Sequence, residues 1–200
     1  MKALIFFLIL FASPVNGQDF NDYRMRYDDY DEDDSAAFRY LRPYIAKARL
    51  EKDYRELTQA YKDAVSFSPD GKISYADSMI WAASKTRDRD LLASGYLTKG
   101  TVYYFNYRKF KPALDEYLKA WEYAQHSENK YLYYKNLYHI GVVKSYLGYY
   151  KEALEIFEKC SVFFRNPKAI PEPPNVGFNR KKGYLNTLHQ QAVCLLHLNR

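Results

Sequence analysis

The strongest constraint on this chain is a residue spacing that occurs twice. Phe110, Ala113, Leu114, Tyr117, Ala120, Trp121 and Ala124 follow one another at steps of 3, 1, 3, 3, 1 and 3. Such steps trace one face of an α-helix. Tyr150, Ala153, Leu154, Phe157, Cys160 and Ser161 then repeat those steps in order, with the two alanines 40 residues apart. Upstream, Ala76, Ile80 and Ala83 reproduce the 4-then-3 spacing of Ala113, Tyr117 and Ala120. Self-similarity at this period marks a stack of supersecondary units, each too small to bury its own apolar face. The expected fold is all-α, an α-α superhelix of antiparallel helix pairs forming a solenoid.

Each of these helices follows another that carries a small residue at a nearly fixed offset. Ala64 lies twelve residues before Ala76, Gly141 twelve before Ala153, and Gly100 thirteen before Ala113. Small residues on paired helices allow close approach, and the aromatics fill the flanks. The supply is ample, at 22 Tyr and 12 Phe, so the core needs neither metal nor disulfides. Leu147-Gly148-Tyr149-Tyr150 supplies a turn, with Gly148 where a helix end favours positive φ. With only 8 Gly and 8 Pro the chain is not collagenous, and two Cys cannot staple a miniprotein.

These residues resemble the tetratricopeptide repeat. Ile140-Gly141, Leu147-Gly148, Tyr150, Ala153, Phe157 and Cys160 fall without a gap on that motif's Leu-Gly, Gly, Tyr, Ala, Phe and Ala positions. Lys99-Gly100, Tyr103, Phe110, Ala113, Tyr117 and Ala120 match after a one-residue insertion. A degenerate first copy uses Ala64, Ala76 and Ala83, and a fourth begins at Leu188, Ala192, Leu195 and Leu198. Repeats are therefore expected near 53–90, 92–127 and 134–165, with a truncated one from 184. The small residues at 64, 100, 141 and 192 lie 36, 41 and 51 apart, a longer period than the family's usual ~34.

The ends read differently. Lys2, the apolar run from Ala3 to Ala12, Pro14 and Val15-Asn16-Gly17 have the layout of a cleaved secretory signal over 1–17. The run is too short to span a bilayer, which takes ~20 apolar residues. An exported chain, periplasmic or secreted, is expected, with no transmembrane helix in its mature form. Residues 18–34 hold eight acids against Arg24 and Arg26 and are expected to be a disordered acidic tether before a basic repeat domain at 35–200. The connection 166–182 holds four of the eight prolines and cannot be helical in its interior.

No catalytic constellation stands out. His126, His139, His189 and His197 lack metal-ligand spacing, and no Gly-rich phosphate loop occurs. Cys160 and Cys194 read as buried thiols, with a disulfide between consecutive repeats left open. The expectation is a non-enzyme without metal or cofactor. Nucleic-acid binding is not expected either, since Lys and Arg are scattered and the leader directs the chain outward.

The resemblance implies that the first helix of each pair lines a concave groove. By position this assigns Thr101 and Tyr104 in the second copy, Lys135, Tyr138, Ser145 and Tyr146 in the third, and His189 in the fourth, with Leu97, Phe105, Val142, Asn186 and Val193 beside them. The family's carboxylate clamp needs Asn where this chain has Thr101, Val142 and Val193, so that clamp is not expected. The implied function is an interaction module binding a peptide or partner protein on a Tyr-rich face. An alternative arises because a leader followed by long-period, Tyr-rich repeats resembles the sensor part of bacterial regulators that continue into a membrane helix and a helix-turn-helix domain. A third reading is a secreted carbohydrate binder that stacks sugars on Tyr138 and Tyr146. Leu188, Leu195, Leu196 and Leu198 place apolar residues on several sides of the last helix, suggesting a fragment of a longer repeat protein or self-association.

Overall fold

The computed structural model describes residues 19–168 and 180–199. The expected signal segment and most of the proline-bearing connection lie outside the described residues. Among those described, nine α-helices follow in order: α1 (Phe20–Met25), α2 (Phe38–Leu50), α3 (Tyr54–Phe67), α4 (Lys72–Ser84), α5 (Arg89–Phe105), α6 (Phe110–Ala124), α7 (Lys130–Tyr146), α8 (Tyr150–Arg165) and α9 (Arg180–His197). The fold is all-α, an α-α superhelix in which consecutive helices pack on one another. The odd helices also touch in succession, α3 on α5, α5 on α7 and α7 on α9, so they line one side of the stack.

Capping explains where the units begin. Asp53 accepts hydrogen bonds from the Arg55 and Glu56 amides, Asp88 from those of Asp90 and Leu91, and Asn129 from that of Leu132. Each such cap contributes ~1 kcal/mol by satisfying amides that the first helical turn leaves unpaired. The caps therefore recur at the starts of α3, α5 and α7, the first helix of each pair. Gly148, at φ +86, closes α7 and launches α8.

Repeat-defining residues form the core. Ala64, Ala76, Ala83, Ala113, Tyr117, Ala120, Ala153, Phe157 and Cys160 are all fully buried. A Cβ at Gly141 would lie 2.8 Å from the Phe157 ring, and one at Gly100 2.5 Å from the Tyr117 ring and 3.2 Å from the Ala113 carbonyl. The absence of a side chain is what lets paired helices close. Polar bonds fix one pair on the next. Lys99 bridges Asp77 of α4 at 2.8 Å and Glu116 of α6 at 3.4 Å, and the buried Asn136 amide of α7 donates to the Tyr117 carbonyl of α6 at 3.0 Å.

Residues 19–34 correct one expectation: the acidic stretch is not a disordered tether but an arm docked on the first repeat. Tyr27 is buried, stands edge-on to Phe67 at 5.4 Å and donates to Asp63 at 2.8 Å. Tyr23 stacks on Tyr44, and Arg24 pairs with Glu56 at 3.1 Å. Asp33 sits 2.6 Å from the Lys72 ammonium, whose side chain is only 4% exposed and also donates to the Val65 and Ser66 carbonyls. The physical reason is the aromatic content, Phe20, Tyr23, Tyr27 and Tyr30, which supplies apolar area that a charge count alone leaves out.

The far end shows the opposite. Leu185, Leu188, Ala192 and Leu196 are all exposed along one stripe of α9, while Gly183, Thr187 and Cys194 face inward. No described helix is long and apolar enough to cross a membrane.

Candidate functional site

Three clefts follow one another along the side lined by the odd helices. The first, ≈ 450 Å³ between α3, α5 and α7, takes in Lys62, Lys72, Thr101, Tyr131 and Lys135. The second, ≈ 230 Å³ between α5, α7 and α9, takes in Tyr104, Phe105, Tyr138, His139, Asn186 and His189. The third, ≈ 280 Å³, is framed by Ser145, Tyr146, Tyr150, His189, Gln190 and His197. All seven groove residues expected from the sequence lie on this line, and His189 borders two of the clefts.

Their accessibility divides them. Tyr104, Tyr138 and Ser145 keep 5–8% of their surface and form floor rather than contact surface. Tyr138 packs against Phe157 and edge-on to His139, and burial pushes its phenol up to about 12. Ser145 receives the Cys194 thiol at 3.7 Å. Thr101 spends its hydroxyl proton on the Leu97 carbonyl at 2.8 Å and accepts from Tyr117 at 3.4 Å. The sugar-stacking role expected of Tyr138 does not fit this burial.

Tyr146 is different: it is 55% exposed, yet its ring is held by stacking on Phe110 at 4.9 Å and by an edge contact with Tyr104 at 5.6 Å. Phe105 is equally exposed beside it. His189 and Asn186 are also exposed, and Gln190 is half-buried. At the other end, burial and then the neighbouring Lys62 charge lower the Lys135 ammonium below the usual lysine range.

Sequence reasoning missed His139, Gln190, His197 and Lys62. His139 stacks on the buried Tyr117 ring at 5.2 Å, and desolvation drives its imidazole down to about 3, so it is neutral at ordinary pH. Its position next to Tyr138 on the same helix was visible, but its stacking partner on α6 was not. Gln190 and His197 fall a turn on either side of Val193 and could have been found by extending the helical spacing. Lys62 could have been found by carrying the groove face back to the first repeat.

Both thiols are buried and free in the structure, Cys160 directed at the Tyr134 carbonyl and Cys194 at Ser145. Burial pushes the Cys160 thiol up to about 12 and raises Cys194 as well, so neither is a thiolate at neutral pH. Desolvation drives Tyr104, Tyr138, His139 and both thiols toward their neutral forms. What results is a neutral aromatic and amide surface with lysines at the α3 end, suited to contact by stacking and hydrogen bonding. No known protein-family model matches the chain, and no curated protein matches its sequence.

Proposed function

We propose that this protein is an exported interaction module that holds an extended peptide, or an extended segment of a partner protein, along the side lined by α3, α5, α7 and α9. The observation that carries this reading is Tyr146, a large half-exposed aromatic at the third cleft, immobilised by Phe110 and Tyr104. A fixed aromatic offers contact area at small entropic cost, and preorganisation of this kind favours binding. The Gln190 amide and the His189 imidazole line the same cleft, and the Asn186 amide lines the neighbouring one, all able to bond a peptide backbone. The assignment to the tetratricopeptide class rests on the Gly141-to-Cys160 stretch and on the pairing of α3 with α4, α5 with α6, and α7 with α8. Export rests on residues 1–17. Burial pushes Tyr138, His139 and Lys135 of the clefts toward their neutral forms, which supports binding rather than catalysis.

The test is selection of peptides from a random display library on the full chain, then titration of the enriched peptides against variants. Tyr146→Ala and His189→Ala are expected to weaken them by about tenfold or more, the scale of a lost interfacial aromatic. Peptides that bind Tyr146→Ala as tightly as the wild type would refute the assignment of this face.

A further inference from the structure

Separate from those clefts in its lining, an open recess of ≈ 550 Å³ lies between α2, α3 and α4, within the roughly 300–1,000 Å³ of small-ligand sites. Leu57 forms its apolar floor, Tyr54 and Trp81 one wall, and Arg49, Asp77 and Ser78 its polar edge. Trp81 is 48% exposed, unusual for so large a ring, and Tyr54 braces it edge-on at 6.0 Å. The polar edge is equally held. Arg49 donates through Nε, at 3.0 Å, and Nη2 to the Tyr61 hydroxyl, leaving the rest of its five N–H donors to other acceptors. Asp77 gives Oδ1 to Lys99 at 2.8 Å and keeps its other oxygen as an acceptor. Ser78 donates to the Ser74 carbonyl and keeps its lone pairs.

A flat indole face bordered by a guanidinium, a carboxylate and a hydroxyl matches a pyranose ring. The sugar's C–H face lies on the aromatic, and its hydroxyls meet paired donors and acceptors at the edge. Charge narrows the class further. Arg49 is held by the Tyr61 hydroxyl rather than by a carboxylate, and the one carboxylate of the rim is already matched by Lys99. Lys85, outside the lining, lies over the Trp81 ring 5.5 Å from its centroid and adds positive charge nearby. The surplus at the rim is positive, which disfavours a cationic ligand and favours a carboxylate. We propose that this recess is a binding site for an acidic saccharide, a uronate unit stacked on Trp81 with its carboxylate on Arg49.

The probe is trigalacturonate, titrated calorimetrically into the full chain with maltotriose and hexaglutamate alongside. Saturable binding of trigalacturonate is expected, about tenfold tighter than maltotriose, and reduced about tenfold in Trp81→Ala. In Arg49→Gln the preference over maltotriose should vanish. Circular dichroism checks that each variant is folded, and Arg49, exposed at the end of α2, keeps the test available if Trp81→Ala is not. Absence of saturable binding, equal affinity for maltotriose, equal affinity for hexaglutamate, or full retention of binding in folded Trp81→Ala would each overturn the proposal.

Discussion

Replacing Gly100 by Ala adds one methyl group where the structure has no room for it. The new Cβ would stand 2.5 and 2.6 Å from two carbons of the Tyr117 ring and 3.2 Å from the Ala113 carbonyl oxygen. Contacts between carbons are most favourable near 3.5–4.0 Å, so the ring must move by about 1 Å. It has nowhere to go: Tyr117 is fully buried, hydrogen-bonded to Thr101 and stacked on His139. Overpacking of a tight core costs ~1–3 kcal/mol, and this site belongs at the upper end because backbone as well as side chain is in the way. Alanine returns ~0.5–1 kcal/mol through its better helix propensity. The net expectation is a loss of about 2–2.5 kcal/mol, or roughly 4–10 °C in Tm for a chain of this size. Thermal melts followed by circular dichroism measure it. A second substitution, Tyr117→Leu, makes space, so the double mutant should be less unstable than the sum of the singles. If Gly100→Ala melts at or above the wild-type temperature, or if the two changes simply add, the close packing of α5 on α6 is not what demands glycine here.

The remaining expectations concern other parts of the molecule. His139 is depressed to about 3 from an ordinary ~6.5, so the unfolded chain binds more protons between those values, and stability present above pH ~6.5 is lost as pH falls toward 3. Urea unfolding at pH 7 and 4.5 should show wild type losing about 1–2 kcal/mol more than His139→Gln; Asp63, raised by burial, contributes the opposite slope to both proteins and cancels. Asp33→Asn leaves the enclosed Lys72 ammonium without its nearest carboxylate and should cost about 1–2 kcal/mol, discounted from a fully buried pair because Asp33 is half exposed; unchanged hydrogen exchange in α1 and α4 would contradict the docked arm. Leu185→Glu with Leu196→Glu should leave the unfolding free energy within about 0.5 kcal/mol of wild type while reducing light scattering at high concentration, and a large drop in Tm would show that this stripe is packed.

Where the chain carries period, it was legible. Alanines, glycines and aromatics at helical steps located α3 to α9, because burial at a helix–helix contact requires small and large residues at fixed offsets. The side on which the seven groove residues were placed followed from the resemblance rather than from the period, and those residues do line the three clefts. Which of them reach solvent was not legible: Tyr104 and Tyr146 both sit on α5–α7 contact faces and both touch Phe110 of a third helix, yet one is 7% and the other 55% exposed. Long-range partners also hid the acidic arm. Counting Asp28 to Asp34 as solvated charge overlooked that Lys72, forty residues away, would face them. The recess at Trp81 belongs to no repeat position, so periodicity could not point to it.

Asn136 carries a consequence for how fast a ligand can be taken up. Its buried amide fastens α7 to the Tyr117 carbonyl of α6, so sliding one helix pair past the next by a turn would strand a donor away from water at a cost of ~1–3 kcal/mol. That fastening favours a fixed spacing of the clefts on either side of it, so on the proposed function a ligand would meet a largely preformed surface. The proposed capture would then be limited by diffusion and orientation, at rates on the order of 10⁵–10⁷ M⁻¹ s⁻¹, with preference among ligands showing in how long each one stays.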